Sequence, residues 1–320
     1  MATLLLGKTD VVELMDMKST IGAVEEVFVH WVNGKASMPA KVYLSVEKGD
    51  FRAMPAALPE ASGLKWVNVH PANSRLGLPT VMGVLIYSDP ETGYPLAVMD
   101  ATQITCYRTG AASAVASKYL ARPESKTLGL VGAGCQAHTQ LEAHLEIYNF
   151  DRIDVCDIDH KRLESIIDYY SDLPIGIKNL EEVCACDIIC TTTPVRKPII
   201  RKEWLMPGVH INAVGADAPG KQELELAIIN DARVVVDDPE QATKAGEINV
   251  AVSHGRYNPR MIYATLGEVI AGYKPGRCSD AEITIFDSTG IAIEDIAVAR
   301  MIYNKARQQS KRYLEIDLVD

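Results

Sequence analysis

The spacing of apolar residues divides the chain in two. Over the first third, apolar positions recur at helical spacing across residues 11–32 and then give way to strand alternation. VYLSVEKGDFRAMPA alternates on both sides of Lys48-Gly49-Asp50, which predicts a hairpin. GLKWVNVHP predicts a further strand, and VMGVLIYSDPETGYPLAVMD a second hairpin turning through Ser88-Asp89-Pro90-Glu91-Thr92-Gly93. This block reads as α+β with a largely antiparallel sheet. A helix over 109–120 follows, and beyond it the rhythm changes. TLGLVGAG runs into a helix over 136–148 and RIDVCD into one over 159–171, and then come DIICTTT, HINAVGAD, RVVVDD and EITIFDS. Short, almost continuously apolar strands separated by helical stretches are those of parallel βαβ units, buried on both faces. A last helix over 291–309 carries Ile293, Ile296, Ala297, Ala299 and Met301 at helical spacing and is expected to lead the chain back to the first domain. With Ala121-Arg122-Pro123-Glu124-Ser125 read as the linker, one domain covers residues 1–118 plus 300–320 and the other 119–299.

Composition narrows the classes. At 320 residues, 48% of them hydrophobic and 23% charged, the chain has the material for two cores. Its 32 basic side chains against 42 acidic ones leave a net charge of −10. That disfavours nucleic acid as a partner, because counterion displacement needs clustered Lys and Arg. No apolar run approaches the roughly 18 residues of a membrane span. The opening MATLLLGKTD lacks a basic start and meets Lys8 and Asp10 too early for a secretory signal. No membrane partner is expected, and the cytoplasm is the expected location. The seven cysteines are an odd number, and Cys184, Cys186 and Cys190 cluster without a CxxC pair or a nearby His. They read as small core residues in a reducing compartment, and no metal site is expected.

The strongest local motif is Leu130-Val131-Gly132-Ala133-Gly134-Cys135-Gln136-Ala137, a Gly-x-Gly-x-x-Ala that follows an apolar strand and opens a helix. Gly132 permits the tight turn, Gly134 lets backbone approach a pyrophosphate, and the helix N-terminus attracts the phosphate charge. Asp157 ends the next strand near the spacing expected of a carboxylate that holds ribose hydroxyls. An acid there repels a 2′-phosphate, so NAD is expected rather than NADP. The fold class is therefore α/β, a Rossmann dinucleotide-binding domain beside an α+β antiparallel-sheet domain.

Alternation in GLKWVNV places Lys65 on the same face as Val67 and Val69, while Leu64 and Trp66 point the other way. A lysine among apolar neighbours must be paired, snorkel, or carry a depressed pKa suited to acid–base work. Arg52, on the preceding strand, offers a planar fork for a carboxylate. Composition alone also allows both to be solvated edge-strand charges. Arg108 precedes a run of small residues read as a helix start, where Thr109 and Gly110 would offer donors to an anion; the bland alternative is a surface Arg beside an ordinary cap. Asp217 follows the apolar strand HINAVGA, at the end where ligands of open α/β sheets collect, or else forms an Asx turn before Pro219-Gly220. His70 and His210 read as packing residues.

FRAMPA, GLKWVNVHP, GYPLAVMDA, RTGAASA, GAGCQA, HINAVGADAPGK, GEINVAVS and FDSTGIAIED together resemble the ornithine cyclodeaminase/mu-crystallin family over almost the whole chain. The resemblance is strongest to its archaeal-type alanine dehydrogenase branch. It implies a homodimer whose N-terminal sheets pair across the two-fold, making the α+β domain one of substrate binding and dimerisation. It further implies Lys65 as catalytic acid/base with Asp217 its partner, and Arg52 and Lys65 on the substrate. Arg108 would serve the substrate carboxylate or the cofactor phosphate. NAD contacts would come from Thr109, Cys135, Gln136, Asp157, Thr192, Lys221 and Ser288 beside Gly132 and Gly134. The implied reaction is oxidative deamination of L-alanine, a small amino-acid substrate, to pyruvate and ammonia. The alternative is cyclodeamination of L-ornithine to proline with NAD recycled. Cyclodeaminases of this pattern carry Glu where FRAMPA has Arg52, and a cation there disfavours a diamino acid.

Overall fold

The computed structural model describes residues 2–311 and 313–319. The chain opens with β1 (Thr3–Leu6), α1 (Lys8–Leu14) and α2 (Met17–Val32). Five strands follow: β2 (Val42–Val46), β3 (Gly49–Leu58), β4 (Ala61–Val69), β5 (Val81–Ser88) and β6 (Pro95–Asp100). Helix α3 (Thr102–Leu120) leads to β7 (Thr127–Val131), α4 (Cys135–Leu145), β8 (Arg152–Cys156), α5 (His160–Tyr169), β9 (Ile175–Ile177) and α6 (Leu180–Cys184). Next come β10 (Ile188–Thr191), β11 (His210–Ala213), α7 (Leu226–Asp231), β12 (Arg233–Val236), α8 (Pro239–Ala245) and α9 (Asn249–Ser253). The chain closes with β13 (Ala264–Thr265), α10 (Leu266–Ile270), β14 (Thr284–Asp287), α11 (Ala292–Gln308) and β15 (Leu314–Ile316). No helix among the described residues is long and apolar enough to cross a membrane.

Two compact units result, Met1–Arg108 with Ile291–Asp320, and Thr109–Gly290. The chain passes between them at 108/109 and 290/291, whereas the sequence reading places the passages at 118/119 and 299/300. The second passage lies earlier because α11 packs along α2, β3 and β4, and already in its second turn Ile296 fills the space above Gly63.

In the first unit a seven-stranded sheet runs β15-β1-β6-β5-β4-β3-β2, antiparallel except for the parallel β1–β6 pair. Strand alternation sends Met54, Ala56, Lys65, Val67, Leu85 and Met99 to a buried face, and α11 lies against β3, β4 and α2. The other face keeps Trp66, Val84 and Ile86 exposed, with Phe51 stacked on Trp66 at 5.4 Å between ring centroids.

Two helices differ from their sequence reading. The helix expected over 11–32 is broken before Met17, because Asp16 turns extended and its side chain accepts from the Ser19 N–H to start α2. Helix α3 begins at Thr102, with the Asp100 carboxylate accepting from the Gln103 N–H at 2.9 Å. Thr109 and Gly110 are therefore in mid-helix, their amides spent within it, and the helix-start anion site expected there does not exist. The small residues serve close packing instead: a Cβ on Gly110 would lie 2.3 Å from the Thr139 carbonyl oxygen of α4.

The second unit is an eight-stranded, wholly parallel sheet in the order β13-β12-β14-β11-β10-β7-β8-β9. Its strands feed a core on each face. Leu128, Leu130, Ile153, Val155, Ile188 and Cys190 meet Ala137, Leu141 and Leu163 on one side. Val131, Ile189, Ile211, Val234, Val236 and Ile285 meet Val183, Ile228 and Ala242 on the other. Burial on both faces is why these strands read as unbroken apolar runs. The order reverses between β7 and β10, the switch point at whose carboxyl end a doubly wound sheet opens a crevice.

Candidate active site

In the first unit, Lys65 points from β4 into the face covered by α11 and is fully buried. Its Nζ lies 2.7 Å from Asp295 Oδ2 and donates to Thr105 Oγ1 at 3.2 Å. Burial pulls the ammonium down to about 7, Asp295 resisting and the nearby Arg108 charge adding to the fall. Arg108 donates from Nε to Asp295 Oδ1 at 3.1 Å and from Nη1 to Glu294 Oε2 at 2.8 Å. All four groups are buried, and two cations face two carboxylates. Arg52 shares Lys65's face of the sheet, since it stands opposite Val67 while Lys65 stands opposite Met54. Its guanidinium is held by Asp50, Nε to Oδ1 at 2.7 Å and Nη2 to Oδ2 at 3.4 Å, and lies over the Tyr43 ring.

In the second unit, the turn after β7 has the features of a dinucleotide cradle. Gly132 adopts φ 98°, and a Cβ there would meet Thr192 Oγ1 at 2.8 Å. Gly134 caps α4 with no side-chain hydrogen bond, leaving the helix start without a side-chain cap, as at helix starts that receive a phosphate. Asp157 braces the turn, Oδ2 accepting from the Ala133 N–H at 2.7 Å and Oδ1 from the Asp159 N–H at 2.8 Å. Thr192 donates to the Val131 carbonyl at 3.2 Å. Ser288, just beyond β14, is buried with its hydroxyl oxygen unpartnered among the described residues. An uncapped helix, a turn without room for side chains and an unsatisfied hydroxyl fit a pyrophosphate-bearing cofactor.

Asp217 follows β11, and Lys221 donates to its Oδ1 at 2.5 Å. Asn249 pins this loop, accepting from the Gly220 N–H at 2.9 Å and donating to the Lys221 carbonyl at 2.8 Å. Behind it lies a row of buried carboxyls. Glu223 receives Thr191, Thr193 and Gly215, Glu247 receives the amides of Glu223 and Leu224, and Asp287 those of Glu247 and Ile248. Burial raises all three, Asp287 to about 8.

The structure thus groups Lys65 and Arg108, sets Arg52 on the sheet that carries Lys65, and places Asp217, Lys221, Thr192, Asp157 and the glycine turn at strand ends of the second unit. Sequence reasoning missed Glu294 and Asp295, although two adjacent acids inside the apolar run GIAIEDIAVA were the available signal. It also missed Glu223 and Glu247, whose surroundings carry no local pattern.

The ornithine cyclodeaminase/mu-crystallin family model matches residues 1–310. An alanine dehydrogenase of Archaeoglobus fulgidus is 52% identical over 308 residues, covering 96% of each chain. A Δ1-pyrroline-2-carboxylate reductase of Bacillus cereus is 39% identical over 77% of this chain and 78% of its own. The solved structure of an archaeal alanine dehydrogenase dimer with bound NAD superposes with a TM-score of 0.97 at 50% identity, over the full length of both chains. With that match over nearly its whole length, the chain belongs to the ornithine cyclodeaminase/mu-crystallin family.

Proposed function

We propose that this protein is an NAD-dependent amino-acid dehydrogenase that converts L-alanine, water and NAD reversibly to pyruvate, ammonium, NADH and a proton. It acts as a homodimer in the cytoplasm. The observation that carries the reading is Lys65, a fully buried amine held near pKa 7 on the same sheet face as a guanidinium fork. Such an amine exchanges protons at neutral pH, and a fork beside it suits a substrate with one carboxylate.

Gly132, Gly134, Cys135, Gln136, Asp157, Thr192, Lys221 and Ser288 are assigned to holding NAD, which when bound accepts hydride from the substrate Cα. Arg52 binds the substrate carboxylate in place of Asp50, and this exchange selects for an anionic group. Lys65 takes the proton that the amino group must shed before its nitrogen can form the imine. Asp217 accepts one proton from the water that adds to the imine carbon and releases it to solvent, and Lys65 returns its proton to the nitrogen. As the C–N bond breaks, the hydroxyl proton passes through Asp217 to the departing ammonia and leaves the ketone. Lys221 keeps Asp217 oriented between turnovers. Arg108 acts through Asp295, on Lys65 Nζ.

The exposed apolar strip of Trp66, Val84 and Ile86 supports the homodimer, because a patch of this kind on a soluble chain marks an interface. Trp66→Asp is expected to give monomers in sedimentation. For the reaction, absorbance at 340 nm should rise with L-alanine and NAD. Efficient proline formation from L-ornithine without NADH accumulation would overturn the choice in favour of a cyclodeaminase. The seven cysteines, all free, suit the reducing compartment.

A further inference from the structure

Glu223 is fully buried, and the hydrogen bonds at both carboxylate oxygens come from the ends of β10 and β11. Oε1 accepts from the Thr193 N–H at 2.8 Å and the Thr193 hydroxyl at 2.6 Å. Oε2 accepts from the Thr191 hydroxyl at 2.7 Å and the Gly215 N–H at 2.9 Å. Thr191, the last residue of β10, and Thr193 flank Thr192, and Gly215 opens the segment that continues to Asp217. The β10–β11 ladder ends at Thr191 and Ala213; beyond it the Val214 and Gly215 amides reach the Thr191 carbonyl, each at 3.0 Å, and Glu223 carries the tie on to Thr193. Gly215 shows how close the two segments are: a Cβ there would lie 2.2 Å from the Thr193 carbonyl oxygen and 2.5 Å from Glu223 Oε2. Glu223 is itself anchored, because its own amide and that of Leu224 donate to the buried Glu247 carboxyl.

We propose that Glu223 is a positioning residue that clamps the segment bearing Thr192 to the segment bearing Asp217, so that the cofactor side and the water-activating side keep one geometry. The inference rests on the roles assigned above to Thr192 and Asp217. Its chemistry is specific to a carboxylate. Hydroxyl donors can rotate away, but the Thr193 and Gly215 amides cannot, and one faces each oxygen. A glutamine of the same shape must aim its NH2 at one of those two N–H groups whichever way it turns. Turned to Thr193, it takes away that amide's acceptor; turned to Gly215, whose N–H also reaches the Thr191 carbonyl at 3.0 Å, it sets two donors face to face and pushes the segments apart.

The test compares Glu223→Gln with Asp187→Asn. Asp187 is a carboxylate of similar duty at the amino ends of the same sheet, where it accepts from the Lys126 and Thr127 amides. Three quantities are read: the NAD dissociation constant by fluorescence titration, kcat with alanine, and hydrogen exchange at the Thr193 and Gly215 amides. Glu223→Gln is expected to speed exchange at the Thr193 amide by about tenfold, the factor set by one lost buried acceptor, and by less at Gly215, which keeps the Thr191 carbonyl. NAD binding should weaken and kcat fall by about the same factor. Asp187→Asn should lower the melting temperature and leave all three unchanged. If Glu223→Gln does not fold, Thr193→Val, which removes one donor and keeps the amide, should show the same changes at smaller size. Wild-type exchange, NAD affinity and kcat in a folded variant overturn the clamp. A wild-type protein that turns over no alanine overturns the proposed reaction, while the exchange rates still decide the clamp.

Discussion

Lys65 shows how one buried charge takes its chemistry from its neighbours. Desolvation brings it to about 7, and Asp295 limits the fall. If the free amine is the working form in deamination, kcat/KM rises with pH through a limb centred near 7. Asp295→Asn removes the charge that favours the ammonium, so the limb should move to lower pH; a pH–rate profile of both proteins checks the direction. Lys65→Ala should cost about 10²–10⁴-fold in turnover and leave NAD affinity nearly intact, because a positioned acid/base contributes that much. Asp157→Ser should loosen NAD, losing the brace to Ala133, and should narrow the preference for NAD over NADP, read as the ratio of kcat/KM values. Lys65, Arg52 and Asp157 were legible because strand alternation and a glycine signature point at them directly. Glu294, Asp295 and Glu223 were not. Their importance comes from contacts across long sequence separations, such as Arg108 to Glu294 and Thr191 to Glu223; the adjacent acids in GIAIEDIAVA signal buried charge, but no local pattern names the partners.

At the level of elements, the strands of both sheets were readable from period and apolar run, and helix starts were the weak point. Whether RTGAASA opens a helix or fills its middle depends on what packs against it, and here α4 approaches close enough to demand glycine. Gly110→Ala places a methyl group 2.3 Å from a backbone carbonyl, a clash that only movement of α3 or α4 relieves. It should cost about 1–3 kcal/mol in chemical denaturation despite the better helix propensity of alanine. Stability equal to or above that of the parent would mean the two helices separate freely. The break before Met17 was missed for the converse reason: Met15 and Met17 keep the chain apolar while Asp16 interrupts it with a cap.

Over the whole molecule, buried titratable groups give stability two opposing pH dependences. His144 and His210 are fully buried and neutral, pulled down by burial to about 4 and about 3. His144 donates from Nδ1 to the Gln140 carbonyl and accepts the Ser117 hydroxyl at Nε2. Unfolding returns each imidazole to about 6.5, so below that value the unfolded chain binds more protons and the native state weakens as pH falls. The slope is about 1.4 kcal/mol per histidine per pH unit down to the native value. Asp287, at about 8 in the native state, acts the other way: its contribution is complete below the unfolded value near 4 and is lost as pH rises towards 8. Subtracting the denaturation curves of His144→Gln from those of the parent isolates one imidazole. That difference should shrink steadily between pH 6.5 and 4, and a flat difference would mean His144 is protonated in the folded protein. The distribution of thiols has a practical side as well. Cys135, the first residue of the helix behind the glycine turn, and Cys278 are exposed, while the other cysteines are buried or half-buried. A mild alkylating reagent should therefore tag two positions first, and saturating NAD should shield Cys135 while Cys278 still reacts. The mass of the tagged chain then becomes a direct gauge of how much of a preparation carries its nucleotide.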